Sequence, residues 1–537
     1  MNMVDVSSTI RINQVGYATG LPQRVILLSE EPLMVLDASG RELRCFEPAN
    51  LILDPASGDR VASVDLGITE PGDYTLKCGP ETRNITVRKA PWEKVTNALI
   101  KGFYYQRCGC ELPVKYAGVY THPACHVQPA VDWQDRHIKR RITGGWHDAG
   151  DYGKYVGPGA VAAAHLLYAW KLFPQGCNDA LHIPETGNGV PDILNETRFE
   201  LEWLLKMQRS DGAFHHKLAK ACFAPFIMPE DDLETEYLLP VSHCATGAAC
   251  ACLALGSRVY RAFDEPFANR MLASALHAWC WLIKHPDFVP YQNPEGVRTG
   301  QYGDQSDTDE RFWAACELYA ATGEQEYLSA TEALFSEKLS LTQFGWANVA
   351  GMGALCCLTD LKGSVLYDRV KQAFLSQSEQ ALRLSSRSGY GTALSEDRYI
   401  WGSILPIMSN ALAMIVSERL TGWKEMLEAA LNQWDYALGM NALDLCFVTG
   451  FGEKTVMHPH HRPSGADGID APVPGLISGG PNQRFPYPAT REKLGEDTPP
   501  AKYYLDETPS ADTNEIAIYW NSITVLTAAC FHMRSKE

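Results

Sequence analysis

The four residues KAPW (Lys89 to Trp92) mark a change of period in the chain. Before them, short runs such as "TIRINQVGY", "QRVILLSE", "LMVLD", "RELRCF", "VASVDLG", "GDYTLKC" and "RNITVRK" are rich in β-branched residues and partly alternating. Gly, Pro, Asp and Ser punctuate them about every ten residues, the pattern of a small antiparallel sandwich over residues 9–88. After Pro91 the apolar residues recur at helical spacing. "EMLEAALNQWDYAL" (425–438) puts Leu427, Ala430, Leu431, Trp434 and Leu438 on one face before Gly439. "DERFWAACELYAATG" (309–323) does the same and ends on a capping glycine. Roughly ten to twelve such helices are predicted, with no strong strand run among them. Such a domain is either a solenoid or a closed barrel; no repeat of 30–45 residues is visible, which weakens the solenoid reading. KAPW reads as the hinge, giving domains 1–89 and 90–537.

A chain of 537 residues exceeds one ordinary core, in keeping with two domains. Its net charge is −17 with no basic stripe, which excludes a nucleic acid or an anionic membrane as the expected partner. No window of about 18 apolar residues is present, so no membrane span is expected. The start "MNMVDVSSTIRINQVGY" has neither a basic lead nor an apolar run. It does not read as a secretory signal, and a cytoplasmic location is expected. Many of the 16 cysteines, such as Cys250, Cys252, Cys356 and Cys357, sit among small apolar residues and read as buried free thiols of a reducing compartment.

Four segments carry possible chemistry. In "RITGGWHDAGDYGKYVGPGAVAAAH" (141–165), Asp148 and Asp151 stand three apart on a Gly-rich turn after His147. Either the two carboxylates share a water, one taking its proton while the other orients it, or they cap the helix that follows. In "PSADTNEIAIYWNS", Glu515 either complements a helix dipole or is a proton donor in an apolar pocket to which Tyr519 and Trp520 contribute. "MHPHHRP" (457–463) packs His458, His460, His461 and Arg462 between prolines, inside a Gly-, Pro- and His-rich stretch from Gly439 to Pro509. A stretch so long and poor in helix is expected to be ordered and functional, with His460 and Arg462 either hydrogen-bonding sugar hydroxyls or serving a structural role. Finally, Cys108, Cys110, Cys125, His126 and His147 are either zinc ligands or buried thiols and surface histidines.

Taken together, these motifs resemble glycoside hydrolase family 9, inverting cellulases that carry an N-terminal immunoglobulin-like domain, and the resemblance covers nearly the whole chain. It implies an immunoglobulin-like β-sandwich followed by an (α/α)6 barrel, with the active site in a cleft at one barrel end. On "GGWHDAGDYGKYV" it makes Asp151 the catalytic base and Asp148 its helper. On "YLDETPSADTNEIAIYWNS" it makes Glu515 the proton donor, with Asp506 and Asn521 on the same pattern. His460 and Arg462 become sugar-binding residues, and Trp520 and Trp401 sugar-contacting aromatics. Cys108, Cys125, His126 and His147 become ligands of a structural zinc; calcium is also implied, with no ligands assigned. Ala511, Ile404 and Cys446 depart from the family pattern, and the first two are expected to alter the sugar subsites.

The implied chemistry is inversion: water attacks from the Asp151 side while Glu515 protonates the leaving oxygen, the two carboxyls roughly 6.5–9.5 Å apart to admit the water. A cytoplasm holds no cellulose fibres. The expected substrates are therefore imported β-1,4-linked di- or oligosaccharides, cut from the end in a short pocket. Both glucose and glucosamine units are open, because the acidic stretches "MPEDDLETE" and "GDQSDTDE" could favour an amine. The alternative is an endo-β-1,4-glucanase acting on polymeric β-glucan. Two other classes are a catalytically silent carbohydrate-binding protein and a hydrolase using zinc as Lewis acid. Oligomeric state is left open.

Overall fold

The computed structural model describes residues 7–47, 50–177 and 180–537. The first six residues of the N-terminal stretch considered above lie outside them.

The N-terminal runs form two sheets. One orders Ile10–Arg11, Arg24–Leu27, Arg60–Asp65 and Ile52–Leu53; the other orders Tyr17–Ala18, Glu81–Arg88, Gly72–Cys78, Leu33–Leu36 and Glu42–Phe46. Alternation decides which side chains turn inward. Leu33, Val35, Tyr74, Leu76, Cys78, Ile85 and Val87 meet Ile10, Val25, Leu27 and Val64 in a closed apolar core. The hairpin Gly72–Cys78 to Glu81–Arg88 keeps Tyr74 opposite Ile85 and closes on Cys78 opposite Glu81. Gly79 at φ 56° turns it. The strand Ile52–Leu53 was not predicted: it has two residues, both exposed, too few to show a period.

Among the described residues, the rest of the chain holds twelve α-helices of ten or more residues. Six are buried on nearly all sides, among them Val156–Leu172, His243–Tyr260, Ile404–Thr421 and Ile518–Arg534. Between them stand helices buried along one stripe only. Tyr367–Arg387 turns Val370, Phe374, Ser378, Ala381 and Ser385 inward, a spacing of three or four throughout. The inner ring closes where Ile518–Arg534 packs on Val156–Leu172. This is the (α/α)6 arrangement.

Two features differ from the expectation. Five short strands do interrupt the helices: Ala130–Asp132, Lys139–Arg140, Lys154–Tyr155, Lys217–Ala219 and Tyr237–Leu238 form one sheet. Strands of two or three residues carry no readable alternation. KAPW, moreover, is pinned rather than a free hinge. Trp92 is buried, donates from Nε1 to Gly16 O at 3.0 Å, and meets Trp434 and Phe531 edge to face. Buried polar bonds join sandwich and barrel nearby: Asn13 Nδ2 to Asp435 Oδ1 at 2.7 Å and Arg83 Nη1 to Asp444 Oδ2 at 2.9 Å.

Candidate active site

The loop with the paired acids runs from Trp146 to the short strand Lys154–Tyr155. The helix behind it starts at Val156 and is preceded by Tyr155, with no side-chain cap. Asp148 and Asp151 are therefore not capping residues. Instead Asp151 Oδ2 accepts from its own turn, Gly153 N at 3.0 Å, and Asp148 accepts the hydroxyl of Tyr302.

Backbone bonds stitch this loop to the two other candidate segments. Ile518 N donates to Asp148 O at 2.8 Å, and Arg462 N to Gly150 O at 3.0 Å. His460 N donates to Asn514 O at 2.9 Å, and Gly479 N to Glu515 O at 2.8 Å. Asp506 fastens the same junction, accepting from Met457 N and His458 N at 2.8 Å each and from Asn514 Nδ2 at 3.0 Å. Three stretches far apart in sequence thus meet as neighbouring strands of backbone. Glu515 ends a short helical turn, Ala511–Asn514, and the long helix begins only at Ile518, so it does not complement that helix's dipole.

The result is a cleft of about 770 Å³. Asp151 and Glu515 line it, as do His460, Arg462, Trp401 and Trp520. Asp148 sits just beneath, almost wholly buried, its Oδ1 without a hydrogen-bond partner. His460 donates from Nδ1 to Thr508 O at 2.7 Å; burial and the Arg462 charge draw its pKa down to about 4, so Nε2 is a neutral acceptor. Arg462 spends its guanidinium on Gly150 O and Ala224 O, both at 2.8 Å. It holds the cleft wall as much as it faces the cleft. Asn521 holds backbone only, at Leu99 O and Ile477 N.

The electrostatics separate the acids. Burial, then the charges of Asp151 and Asp148, push Glu515 well above the ordinary carboxyl range, against the pull of Arg462 and Trp401. Burial, with the charges of Asp151 and Glu200, also lifts Asp148 well above that range, against the Tyr302 hydrogen bond. Asp151 is raised by burial but eased back by Arg462, the Gly153 amide and Lys217. Of the two carboxyls that line the cleft, Glu515 is thus held well above the ordinary range, while Asp151 is raised less because three groups favour its charge.

Sequence reasoning missed Tyr302, Tyr155, Trp346, Arg398 and Tyr487 as cleft residues. Tyr302 had a weak signal, standing between two glycines in "GQYGDQ". Of the three departures from the family pattern, Ala511 lines the cleft, but Ile404 is buried outside it, so the expectation that Ile404 alters a subsite is corrected. Neither acidic stretch contributes a lining side chain. Asp232 pairs with Lys220 and Asp307 with Arg311.

Beside Asp148, the ligand atoms of Cys108, Cys125, His126 and His147 all lie within 4.8 Å of one another; Cys110 stays outside the group. His126 Nδ1 and His147 Nε2 are buried there without hydrogen bonds, and Asp232 Oδ2 stands 3.4 Å from His126 Nε2. Buried orphan nitrogens facing two thiols, with a carboxylate behind one imidazole, fit a tetrahedral metal site. A second group, Cys244, Asp304 and Glu310, offers one thiol and two carboxylates, short of the six to eight oxygens calcium takes. Among the described residues no helix is long and apolar enough to cross a membrane.

Residues 92–528 match the family model for glycosyl hydrolase family 9, and residues 5–83 that for the cellulase N-terminal ig-like domain. A cellodextrinase from Butyrivibrio fibrisolvens is 35% identical over 96% of this chain and 97% of its own. The solved structure of AaCel9A in complex with cellobiose-like isofagomine superposes with a TM-score of 0.90 at 33% identity, covering 98% of this chain and all of that one. A Zn-binding triple mutant of the family 9 endoglucanase J30 superposes at 0.89 with 30% identity, covering 95% and 98%.

Proposed function

The chain belongs to glycosyl hydrolase family 9, acting on β-1,4-glucans, and on that premise we propose that it cleaves soluble gluco-oligosaccharides from a chain end with inversion. The observation that carries this reading is the pairing in one cleft of a carboxyl kept protonated, Glu515, with a carboxylate that a guanidinium and an amide help to ionise, Asp151. Asp151 takes the proton of a water that Asp148 orients. That water attacks the anomeric carbon, and Glu515 protonates the departing oxygen. His460 Nε2 accepts a sugar hydroxyl, and Trp401 and Trp520 supply apolar ring faces.

The cleft volume of about 770 Å³ lies within the range of small-ligand sites, ~300–1,000 Å³, which favours a short oligosaccharide over a polymer strand. Its lining carries Arg398 and Arg462 but no carboxylate beyond Asp151 and Glu515, which favours neutral glucose units over glucosamine. The endo reading on polymeric β-glucan is favoured instead by the exposed aromatics Phe485 and Tyr487, the latter on the cleft wall. Cys108, Cys125, His126 and His147 would hold a zinc ion in a structural role, fixing the loop of Asp148 from His147; with four protein ligands it would offer no position to substrate. The cysteines buried among apolar neighbours, such as Cys250, Cys252, Cys356 and Cys357, support a cytoplasmic setting.

The test is a substrate panel: cellobiose, cellotetraose, glucosamine dimer and soluble β-glucan polymer, read by product size. The proposal expects terminal units released from cellotetraose, little turnover of the glucosamine dimer, and loss of activity in Asp151→Asn and Glu515→Gln. Internal fragments and a fast drop in polymer viscosity would favour the endo reading.

A further inference from the structure

Lys217 is fully buried, yet among the described residues no carboxylate stands within ion-pair distance of it. An unpaired ammonium in a protein interior is costly unless its donors are met. Here they are met by one loop. Nζ donates to Thr299 O at 3.2 Å, Thr299 Oγ1 at 3.1 Å and Gly300 O at 2.7 Å. The neighbouring His216 donates from Nε2 to Gln301 O at 2.8 Å, while its Nδ1 faces Ser242 Oγ at 2.8 Å. Two adjacent side chains therefore grip three consecutive carbonyls.

The next residue along that loop is Tyr302. Its backbone has φ 46°, a conformation non-glycine residues seldom adopt, and its hydroxyl donates to Asp148. On the other side Lys217 pairs in register with Tyr155, and Nζ lies 5.4 Å from the Tyr155 ring, which lines the cleft beside Asp151. The ammonium is thus tied both to the loop that carries Tyr302 and to the ring of Tyr155.

We propose that Lys217 is a positioning residue of the hydrolytic site: it clamps residues 299–301 so that Tyr302 reaches Asp148, and its charge favours the ionised form of Asp151. The proposal rests on the assignment of Asp151 as base made above. The groups facing Asp151 are Arg462 and Lys217, which favour its ionisation, and Asp148, Glu515 and the Tyr155 phenol on the other side of the balance. Burial draws Lys217 down to about 7, against the pull of Asp151. Below that pH it is charged.

The experiment is the pH profile of kcat/KM on cellotetraose for wild type, Lys217→Met and Lys217→Arg, with circular dichroism to establish folding. In Lys217→Met the acid limb moves up by about one pH unit. Its kcat drops about tenfold or more while KM changes little, because a group acting on the reacting water has been displaced. Lys217→Arg returns the acid limb to the wild-type position. The inference is overturned by a folded Lys217→Met whose acid limb has not moved, or by Lys217→Arg shifting as far as Lys217→Met. Should Lys217→Met not fold, Lys217→Gln, which keeps a donor and loses the charge, is read in the same way. Asp151→Asn separates the two layers. If it retains activity, the base assignment fails; if it is inactive while the Lys217→Met limb stays put, only the Lys217 inference fails.

Discussion

Replacing Gly150 by alanine tests the stitching of the cleft at its tightest point. A Cβ built on Gly150 falls 1.9 Å from His460 O and 2.8 Å from His460 C. An ordinary carbon contact is about 3.5 Å, so the loops must part by roughly 1.5 Å. Neither side can yield cheaply. Gly150 O accepts both Arg462 N and Arg462 Nη1, and His460 N is bound to Asn514 O beside Glu515. The clash is with backbone, not with a side chain that can swing away. Overpacking of this kind costs about 1–3 kcal/mol of stability. The larger effect falls on geometry: a shift of about 1 Å between reacting groups is worth roughly a hundredfold in rate. Gly150→Ala is therefore expected to fold with a lowered melting temperature and to lose about a hundredfold or more in kcat/KM on cellotetraose. Steady-state kinetics with thermal denaturation measures both. A variant within threefold of wild type, with an unchanged melting temperature, would refute the claim that these loops are held at contact distance.

Three further outcomes are expected. Asp435, buried at the domain junction, has its pKa raised by burial from 3.8 to about 7 despite Asn13 and Arg24. The folded chain then holds a proton the unfolded chain has lost, so stability falls as pH rises from about 4 to about 7. Asp435→Asn should flatten that fall by a few kcal/mol at most, read from urea unfolding at several pH values. Arg83→Met leaves Asp444 buried with Lys454 as its remaining cation at 2.9 Å; about 2 kcal/mol of stability should be lost, less than the 3–5 of a fully stranded charge. Elemental analysis should find one zinc per chain, lost in Cys125→Ser together with several degrees of melting temperature. Cobalt substitution should leave kcat nearly unchanged, whereas a metal acting on substrate would change it.

The two-part architecture was legible because long elements repeat their signal. The stripe of Tyr367–Arg387 and the alternation of Glu81–Arg88 each show a period over several turns or pleats. The sheet joining Lys154–Tyr155 to Lys217–Ala219 was not, since two or three residues define no period. The acids were visible as a spacing, but the choice between cap and site was not. It depended on the helix beginning only at Val156, five residues after Asp151, which only the fold reveals. Tyr302 and Lys217 escaped for a different reason. Each works through a partner more than sixty residues away, Asp148 and the 299–301 backbone, and no local pattern records such a pairing. Ile404 misled because a departure from a family pattern says nothing about which way a side chain points; here it packs into the core.

The stereochemistry of one turnover tests the roles of Asp151 and Glu515 most directly. Proton NMR on cellotetraose in the first minutes of reaction, before mutarotation, reads the anomer formed at the new reducing end. With Asp151 delivering water and Glu515 protonating the leaving oxygen, the α-anomer must appear first. Initial accumulation of the β-anomer would contradict it.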